Sequence, residues 1–281
     1  IAYTHDASWV TMSVTGSYSA TLAAAITSSG WTDASNIKIL GVGSDAVWND
    51  LTFSYSQGRP SYMHIENISL VTTTVNTYAV YSRDTLTTMK DVTISGYSGR
   101  YAETGGGAMR IRAADYTAEA HTSSNPTLEN VTITNCCRGV RIQDSTKAYS
   151  INCTATDVYD NAYYLAAGSY TSSDGCTDCV FDTCTSTDAG QVAFMNIGGS
   201  GNSFINCTMN GSRGAAAGVY NTNGLITYDN CSFTNANTSD ASNGWGGAID
   251  EFGGAACGMS LNIGDVSGNV LVKNCTFVSG A

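Results

Sequence analysis

The chain has 281 residues, 42% apolar and only 12% charged, with a formal net charge of −11. That length allows one or two domains with a continuous core, and the acidic balance makes nucleic acid a poor partner, since phosphate binding needs a basic face. No run of 18 apolar residues and no basic-then-apolar leader occurs, so neither a transmembrane span nor a retained signal peptide is expected.

A chain that begins at Ile1 rather than Met reads as processed or as a fragment. Gly, Ser, Thr and Asn take the place of charge, and with 16 Tyr they suggest an ordered all-β surface. Residues 1–35 do not repeat. Ala20, Leu22, Ala23, Ala24, Ala25 and Ile26 form a helix-favouring run that ends at Ser28-Ser29-Gly30. This segment is expected to cap the open end of the repeat that follows it.

The stretch Asn36-Ile37-Lys38-Ile39-Leu40-Gly41-Val42-Gly43 reads as the first coil, with the repeat occupying 36–281. Its clearest copy is Phe204-Ile205-Asn206-Cys207-Thr208-Met209. Versions end in Asn67-Ile68-Ser69, Asp91-Val92-Thr93, Asn130-Val131-Thr132, Asn152-Cys153-Thr154, Asn230-Cys231-Ser232 and Asn274-Cys275-Thr276, with Thr183-Cys184-Thr185 and Asn36-Ile37-Lys38 looser. With the Cys, Val or Ile as position zero, apolar residues lie three before and two after it, as in Leu128/Val131/Ile133. A flat strand alternates with period two, so a gap of three followed by two marks a corner between two short strands. Asn suits that corner because it tolerates the left-handed conformation.

Zero positions are 22 to 24 residues apart where spacing is tightest, as from Val131 to Cys153 and from Cys207 to Cys231. A β-patterned repeat of this length is the signature of a β-solenoid. Nine or ten coils at the roughly 4.8 Å strand spacing would give a rod of about 45 Å. The longer gaps read as one coil plus a loop, and Cys231 to Cys275 as room for two coils.

A helix-like Ala-rich segment, then N-I-x-I-x-G-x-G, then coils with an Asn corner together resemble the pectate-lyase-type right-handed parallel β-helix superfamily. The resemblance covers about residues 19–277, is architectural, and extends to viral tailspikes and other virion β-helices. It implies an all-β, single-stranded right-handed parallel β-helix with an N-terminal helical cap and three sheets per coil. It also implies a homotrimer, or attachment to other virion proteins, as the assembly.

The remaining strand of each coil is legible in Ala79-Val80-Tyr81, Met109 to Arg112, Val140 to Gln143, Tyr163-Tyr164-Leu165, Val192-Ala193-Phe194, Gly218-Val219-Tyr220 and Ala248-Ile249-Asp250. Ile111, Ile142, Leu165, Phe194, Val219 and Ile249 are expected to point inward. Cys153, Cys184, Cys207, Cys231 and Cys275 stand where other coils carry Val or Ile, so they read as small buried hydrophobes. Cys176-x-x-Cys179 is weak evidence for zinc, and a disulfide within 176–184 is an alternative. Six of eight Asn-x-Ser/Thr sequons fall on the corner ladder and are taken as by-products of the repeat, leaving Asn210 and Asn237 as loop-borne sites.

On the outward positions of that last sheet, Arg110, Arg112, Arg141, Gln143 and Tyr164 are expected to stack as a glycan-binding face. Guanidinium forks pair with carboxylate or sulfate, and ring faces pack on sugar C–H surfaces. The plainer alternative is a set of surface ion pairs across coils. A glycosidase would need two flanking carboxyls, for which Asp157 with Asp160, or Asp250 with Glu251, are the weak candidates. A lyase would need a base, which Arg110, Arg141 or Tyr164 could supply. The galacturonase motifs and a pectate-lyase signature are absent, so no catalytic residue is carried over from the resemblance. His5, His64 and His121 lack ligand spacing; no metal and no cofactor is assigned, with Ca2+ left open but not indicated.

The first functional reading is a binding protein on the virion surface (a phage tailspike, head fibre or decoration protein) or in the extracellular space. Its partner would be a cell-surface or extracellular polysaccharide. The alternatives are a secreted polysaccharide lyase or glycoside hydrolase, and a structural adhesin or spacer.

Overall fold

The computed structural model describes residues 1–6, 8–29, 36–54, 60–73, 77–83, 85–98, 106–112, 125–167, 175–212, 214–236, 259–262 and 268–279. Strands β1 (Ala2–Asp6) and β2 (Trp9–Ser19) lead into helix α1 (Leu22–Ser29). Then come β3 (Asn36–Asn49), β4 (Phe53–Ser54), β5 (Tyr62–Val71), β6 (Tyr78–Arg83), β7 (Leu86–Ser95) and β8 (Gly107–Arg112). After these the chain cycles through three short strands per turn: β9 (Thr127–Glu129), β10 (Thr132–Cys136), β11 (Val140–Gln143); β12 (Tyr149–Ile151), β13 (Thr154–Val158), β14 (Tyr163–Ala166). The cycle continues with β15 (Val180–Asp182), β16 (Thr185–Ala189), β17 (Phe194–Ile197); β18 (Ser203–Ile205), β19 (Thr208–Ser212), β20 (Ala217–Tyr220). It ends with β21 (Leu225–Asp229), β22 (Ser232–Ala236), β23 (Met259–Asn262), β24 (Asn269–Lys273) and β25 (Thr276–Ser279). α1 is far too short to cross a membrane, and no described helix is long and apolar enough to do so.

Apart from the antiparallel β1–β2 pair, every strand pairing is parallel. Each short strand pairs with its counterpart one turn earlier and later, so β9, β12, β15, β18, β21 and β24 form one ladder and β10, β13, β16, β19, β22 and β25 a second. The two ladders fuse through β7, which pairs with both β9 and β10. Eight strands, β4, β6, β8, β11, β14, β17, β20 and β23, form the other sheet. The molecule is therefore all-β with large parallel sheets, consistent with a β-helix or solenoid.

The corner between the two ladders is where the three-then-two spacing puts it. Asn67, Asp91, Asn130, Asn152, Thr183, Asn206, Asn230 and Asn274 all have φ between 52° and 55°. Their side chains link the turns: Asn152 Nδ2 donates to Asn130 Oδ1 at 2.7 Å, Asn130 Nδ2 to Asp91 Oδ1 at 2.8 Å, and Asn230 Nδ2 to Asn206 Oδ1 at 2.8 Å. At Thr183 the ladder is bridged by its neighbour, since Asp182 Oδ1 accepts both the Thr183 hydroxyl and Asn206 Nδ2. A second left-handed column lies four residues past position zero, at Gly96, Asn135, Asp157, Asp188, Gly211 and Asn235. It turns the chain out of the second ladder.

Inside, the apolar columns fill the lumen. Ile65, Met89 and Leu128 stack in the first turns, and Phe181, Phe204 and Tyr228 take over further along. The Phe204 and Tyr228 rings stack at 4.7 Å and the Tyr163 and Phe194 rings at 5.0 Å; such pairs add about 0.5–1.5 kcal/mol beyond burial. The position-zero thiols are buried except in the last turn, where Cys275 is half-buried. Each spans two turns by donating to a carbonyl below, as Cys207 Sγ does to Phe181 O at 3.5 Å. All nine described cysteines are free thiols, and Cys176 and Cys179 donate instead to Ile142 O and Ser145 O.

Several expectations are corrected. The chain has no N-terminal helical cap. The strand edge is covered by β2 along β3 and by β1 along β2, because only another strand can pair a row of free N–H and C=O groups. α1 is a single eight-residue helix, N-capped by Thr21 (Ala24 N to Thr21 Oγ1, 3.2 Å), whose Leu22 and Ala25 join the core.

Asn36-Ile37 is not a corner. Ile37 lies opposite Met63, and the register shift between Leu40 and Val47 moves the corner to the far side of Gly41. Asn67 Nδ2 donates to Gly41 O at 3.1 Å, and a Cβ at Gly41 would fall on the Asn67 carbonyl. Cys231 to Cys275 is one turn, since Ser232 pairs directly with Thr276. The strand expected at Val192–Phe194 begins at Phe194. The partner of β20 is β23, while Ala248–Asp250 lies outside the described residues.

Outward positions also form columns. On the second ladder Thr93, Thr132, Thr154, Thr185, Thr208, Ser232 and Thr276 are in register. Two residues on, Ser95, Thr134, Thr156, Thr187, Asn210 and Thr234 form a parallel column.

Candidate functional site

The outward face of the eight-stranded sheet gathers the predicted binding residues. The register aligns Tyr81, Arg110, Arg141 and Tyr164 on four consecutive strands, and beside them Arg83, Arg112, Gln143 and Ala166. The local cause is strand alternation: in Val140-Arg141-Ile142-Gln143, Val140 and Ile142 enter the core while Arg141 and Gln143 take the opposite face, where Arg141 is half-buried and Gln143 is buried. Strand spacing then places successive outward side chains about 4.8 Å apart.

The outer rings of the first column clamp the two guanidiniums. The Arg110 guanidinium carbon lies 4.8 Å from the Tyr81 ring centroid, and that of Arg141 lies 5.0 Å from the Tyr164 centroid. Arg110 Nε and Nη2 both donate to Gln143 Oε1 (3.2 and 2.9 Å), and Gln143 Nε2 donates to Ala167 O at 3.2 Å. Arg112 Nε is 3.4 Å from Asp144 Oδ2, an ion pair without hydrogen-bond alignment. Burial first, and the neighbouring Arg141 charge second, lower the pKa of the Arg110 guanidinium. Arg141 Nε is buried and has no hydrogen-bond acceptor among the described residues.

All five predicted binding residues are thus brought together, and Tyr81 and Arg83 extend the row. Tyr81 was legible in the sequence as the outward residue of Ala79-Val80-Tyr81; Arg83 lies just beyond that stretch. Past Tyr164 the column turns apolar, with Met195 next in register and Ile197 packed nearby in a small buried cluster. The face therefore has a charged, partly exposed section over β6, β8 and β11 that ends against an apolar wall.

The acidic candidates sit elsewhere. Asp157 is an exposed left-handed corner residue (φ 52°) in the column of Asn135 and Asp188. Asp160 is buried, accepting Arg138 Nε at 2.7 Å and Asn161 Nδ2 at 2.8 Å, while Arg138 Nη1 also donates to Tyr78 OH at 3.1 Å. Asp250 and Glu251 lie outside the described residues. Among the described residues no group of three or more His, Cys, Asp or Glu is placed to hold a metal ion.

No family model matches the sequence. No curated protein matches it either. One similar solved structure is the crystal structure of a "putative glycosyl hydrolase" from Parabacteroides merdae ATCC 43184, 14% identical, with a TM-score of 0.22 over 90% of this chain and 86% of that one. A likeness that shallow places no constraint on this chain's chemistry.

Proposed function

We propose that the chain is a right-handed parallel β-helix, residues 36–281 behind an N-terminal segment 1–35, that binds an acidic glycan along the Tyr81–Arg110–Arg141–Tyr164 column. One observation carries the reading: two guanidiniums lie in register between two aromatic rings, and the buried Arg141 Nε has no acceptor among the described residues. A buried donor of that kind is satisfied by an incoming oxyanion. The rings hold the guanidinium planes in place; Tyr164 is buried, and the half-buried Tyr81 is the ring that can meet sugar C–H groups. A hydroxyl-rich, weakly charged exterior suits a protein that meets glycan on a virion surface or in the extracellular medium, and those are the locations we propose.

The test is retention of the chain on immobilised uronate-containing and sulfated polysaccharides, with neutral dextran as control. Arg110→Ala with Arg141→Ala should abolish retention, and rising salt should weaken it in the parent. Equal retention by the double variant would remove the site. A second reading, polysaccharide lyase, draws on the lowered pKa of Arg110, which brings an arginine closer to acting as a base. Unsaturated products absorbing in the ultraviolet would select it over binding alone.

A further inference from the structure

The second ladder carries a surface of different chemistry from the arginine face. On three successive strands, β10, β13 and β16, the outward residues are Thr132 and Thr134, Thr154 and Thr156, Thr185 and Thr187. The hydroxyl columns extend beyond these strands in both directions, with serine, threonine or asparagine in register. No charged residue interrupts either column from β7 to β22, although the chain has 23 acidic residues. The first ladder's outward side, by contrast, carries Glu66, Lys90, Glu129, Asp182, Asp229 and Lys273.

Threonine is a good strand former, so one outward threonine needs no explanation. A two-dimensional array does. Hydroxyls recur about every 4.8 Å along the stack and roughly every 6.6 Å along each strand, from the strand spacing and twice the rise per residue. β-Branching holds each χ1 stiffly, so hydroxyl and methyl keep fixed places. One neighbouring pair is in contact along the column, Thr185 Oγ1 donating to Thr154 Oγ1 at 3.1 Å. Such a surface holds water at fixed points, with the methyls confining it between them. Both repeats are comparable to the oxygen repeats on a prism face of ice. Neither an ion nor a sugar ring is favoured here, because the columns hold no charge and no aromatic ring.

We infer that the paired threonine columns of the second ladder bind the surface of ice, a function separate from glycan binding on the arginine face. The test is partition into slowly growing ice, with the full chain in the ice and in the remaining liquid measured by absorbance, against an inert protein of similar size. The chain should be enriched in the ice relative to the control. Thr156→Lys with Thr187→Lys, which raises two long charges above the array, should reduce uptake to the control level while the circular dichroism spectrum stays unchanged. Thr156→Tyr with Thr187→Tyr, using a strong strand former, gives the same reading should the lysines unfold the chain. Arg110→Ala with Arg141→Ala should leave uptake unchanged. A parent chain rejected from ice like the control, or taken up equally by the folded threonine variants, overturns the inference.

Discussion

Thr183 is the corner residue that is neither Asn nor Asp, and its replacement by Asn should stabilise the chain. Its φ of 52° matches the 53° to 55° of the other seven corners, so the backbone there makes the same demand. The left-handed region costs an ordinary L-residue about 1–2 kcal/mol, more for a β-branched one and less for Asn. The Thr183 hydroxyl donates to Asp182 Oδ1 at 2.9 Å, but the corner is exposed, so losing that bond costs at most about 0.5 kcal/mol. An asparagine amide could also reach towards Asn152 one turn earlier, as Asn230 reaches Asn206.

The net gain from Thr183→Asn is about 1 kcal/mol, or near 2 °C in Tm for a chain of this size. Thr183→Gly relieves the same strain but adds about 0.5–1 kcal/mol of unfolded-state entropy, so it should fall close to the parent. Thr183→Ala keeps the cost of an ordinary L-residue in this region and loses the hydroxyl, so it should fall below the Gly and Asn variants. Urea midpoints and thermal unfolding of the four proteins measure the order directly. An Asn variant at or below the parent, or an Ala variant above Gly, refutes the argument that left-handed backbone sets the corner residue.

Arg138→Ala should cost about 3–5 kcal/mol, because it leaves the Asp160 carboxylate buried with Asn161 as its remaining side-chain partner among the described residues; Arg138→Met with Asp160→Asn should recover most of the loss in thermal unfolding. Gly190→Ala should fall at the upper end of the roughly 1–3 kcal/mol range for overpacking, because its Cβ would land on the Tyr159 carbonyl of the preceding turn; urea denaturation measures it. Burial pushes the Cys136 thiol from 9.0 up to about 12. The folded chain therefore holds that proton at pH values where the unfolded chain releases it. The thiol's contribution is complete below pH 9 and drains away as pH rises towards 12, by at most about 4 kcal/mol. Urea midpoints of parent and Cys136→Ala should accordingly converge above pH 9, and a gap that stays constant would contradict the assignment.

The first corner column was legible because the break in alternation sits beside an Asn or Asp nearly every time. The second was not, because Gly96, Asn135 and Gly211 share only a tolerance for positive φ. That is why Asp157, a member of that column, read as a candidate acid. Asn36-Ile37 copied the corner's residues without its geometry, since a corner depends on what lies opposite it, and Ile37 lies opposite Met63. The arginine face was legible from simple alternation in Val140 to Gln143. Its coupling was not: Arg110 and Gln143 are 33 residues apart and meet because adjacent turns stack. The threonine columns show in the sequence as T-x-T in the turns of β10, β13 and β16, but as single strands these carry only β propensity. Their meaning lies in the register.

Each kind of position in this architecture answers to a different constraint. An inward residue must fit the lumen against the turns above and below, and a corner residue must accept a left-handed backbone. Outward residues on a strand satisfy neither demand, so they can follow whatever the surface meets. Thr or Ser meets the outward position at little cost in any turn, and a run of them alone would be unremarkable as folding chemistry. Partly burying guanidinium groups beside one another is costly, since desolvation and mutual repulsion both act against the charge, in the direction of the lowered pKa of Arg110. The bonds of Arg110 to Gln143 and the stacking of both guanidiniums on tyrosine rings offset part of that cost. The cost is confined to the few turns of the sheet where Tyr81 and Tyr164 flank the pair, and a local departure of that kind in an otherwise repetitive surface is what the proposed glycan site would require.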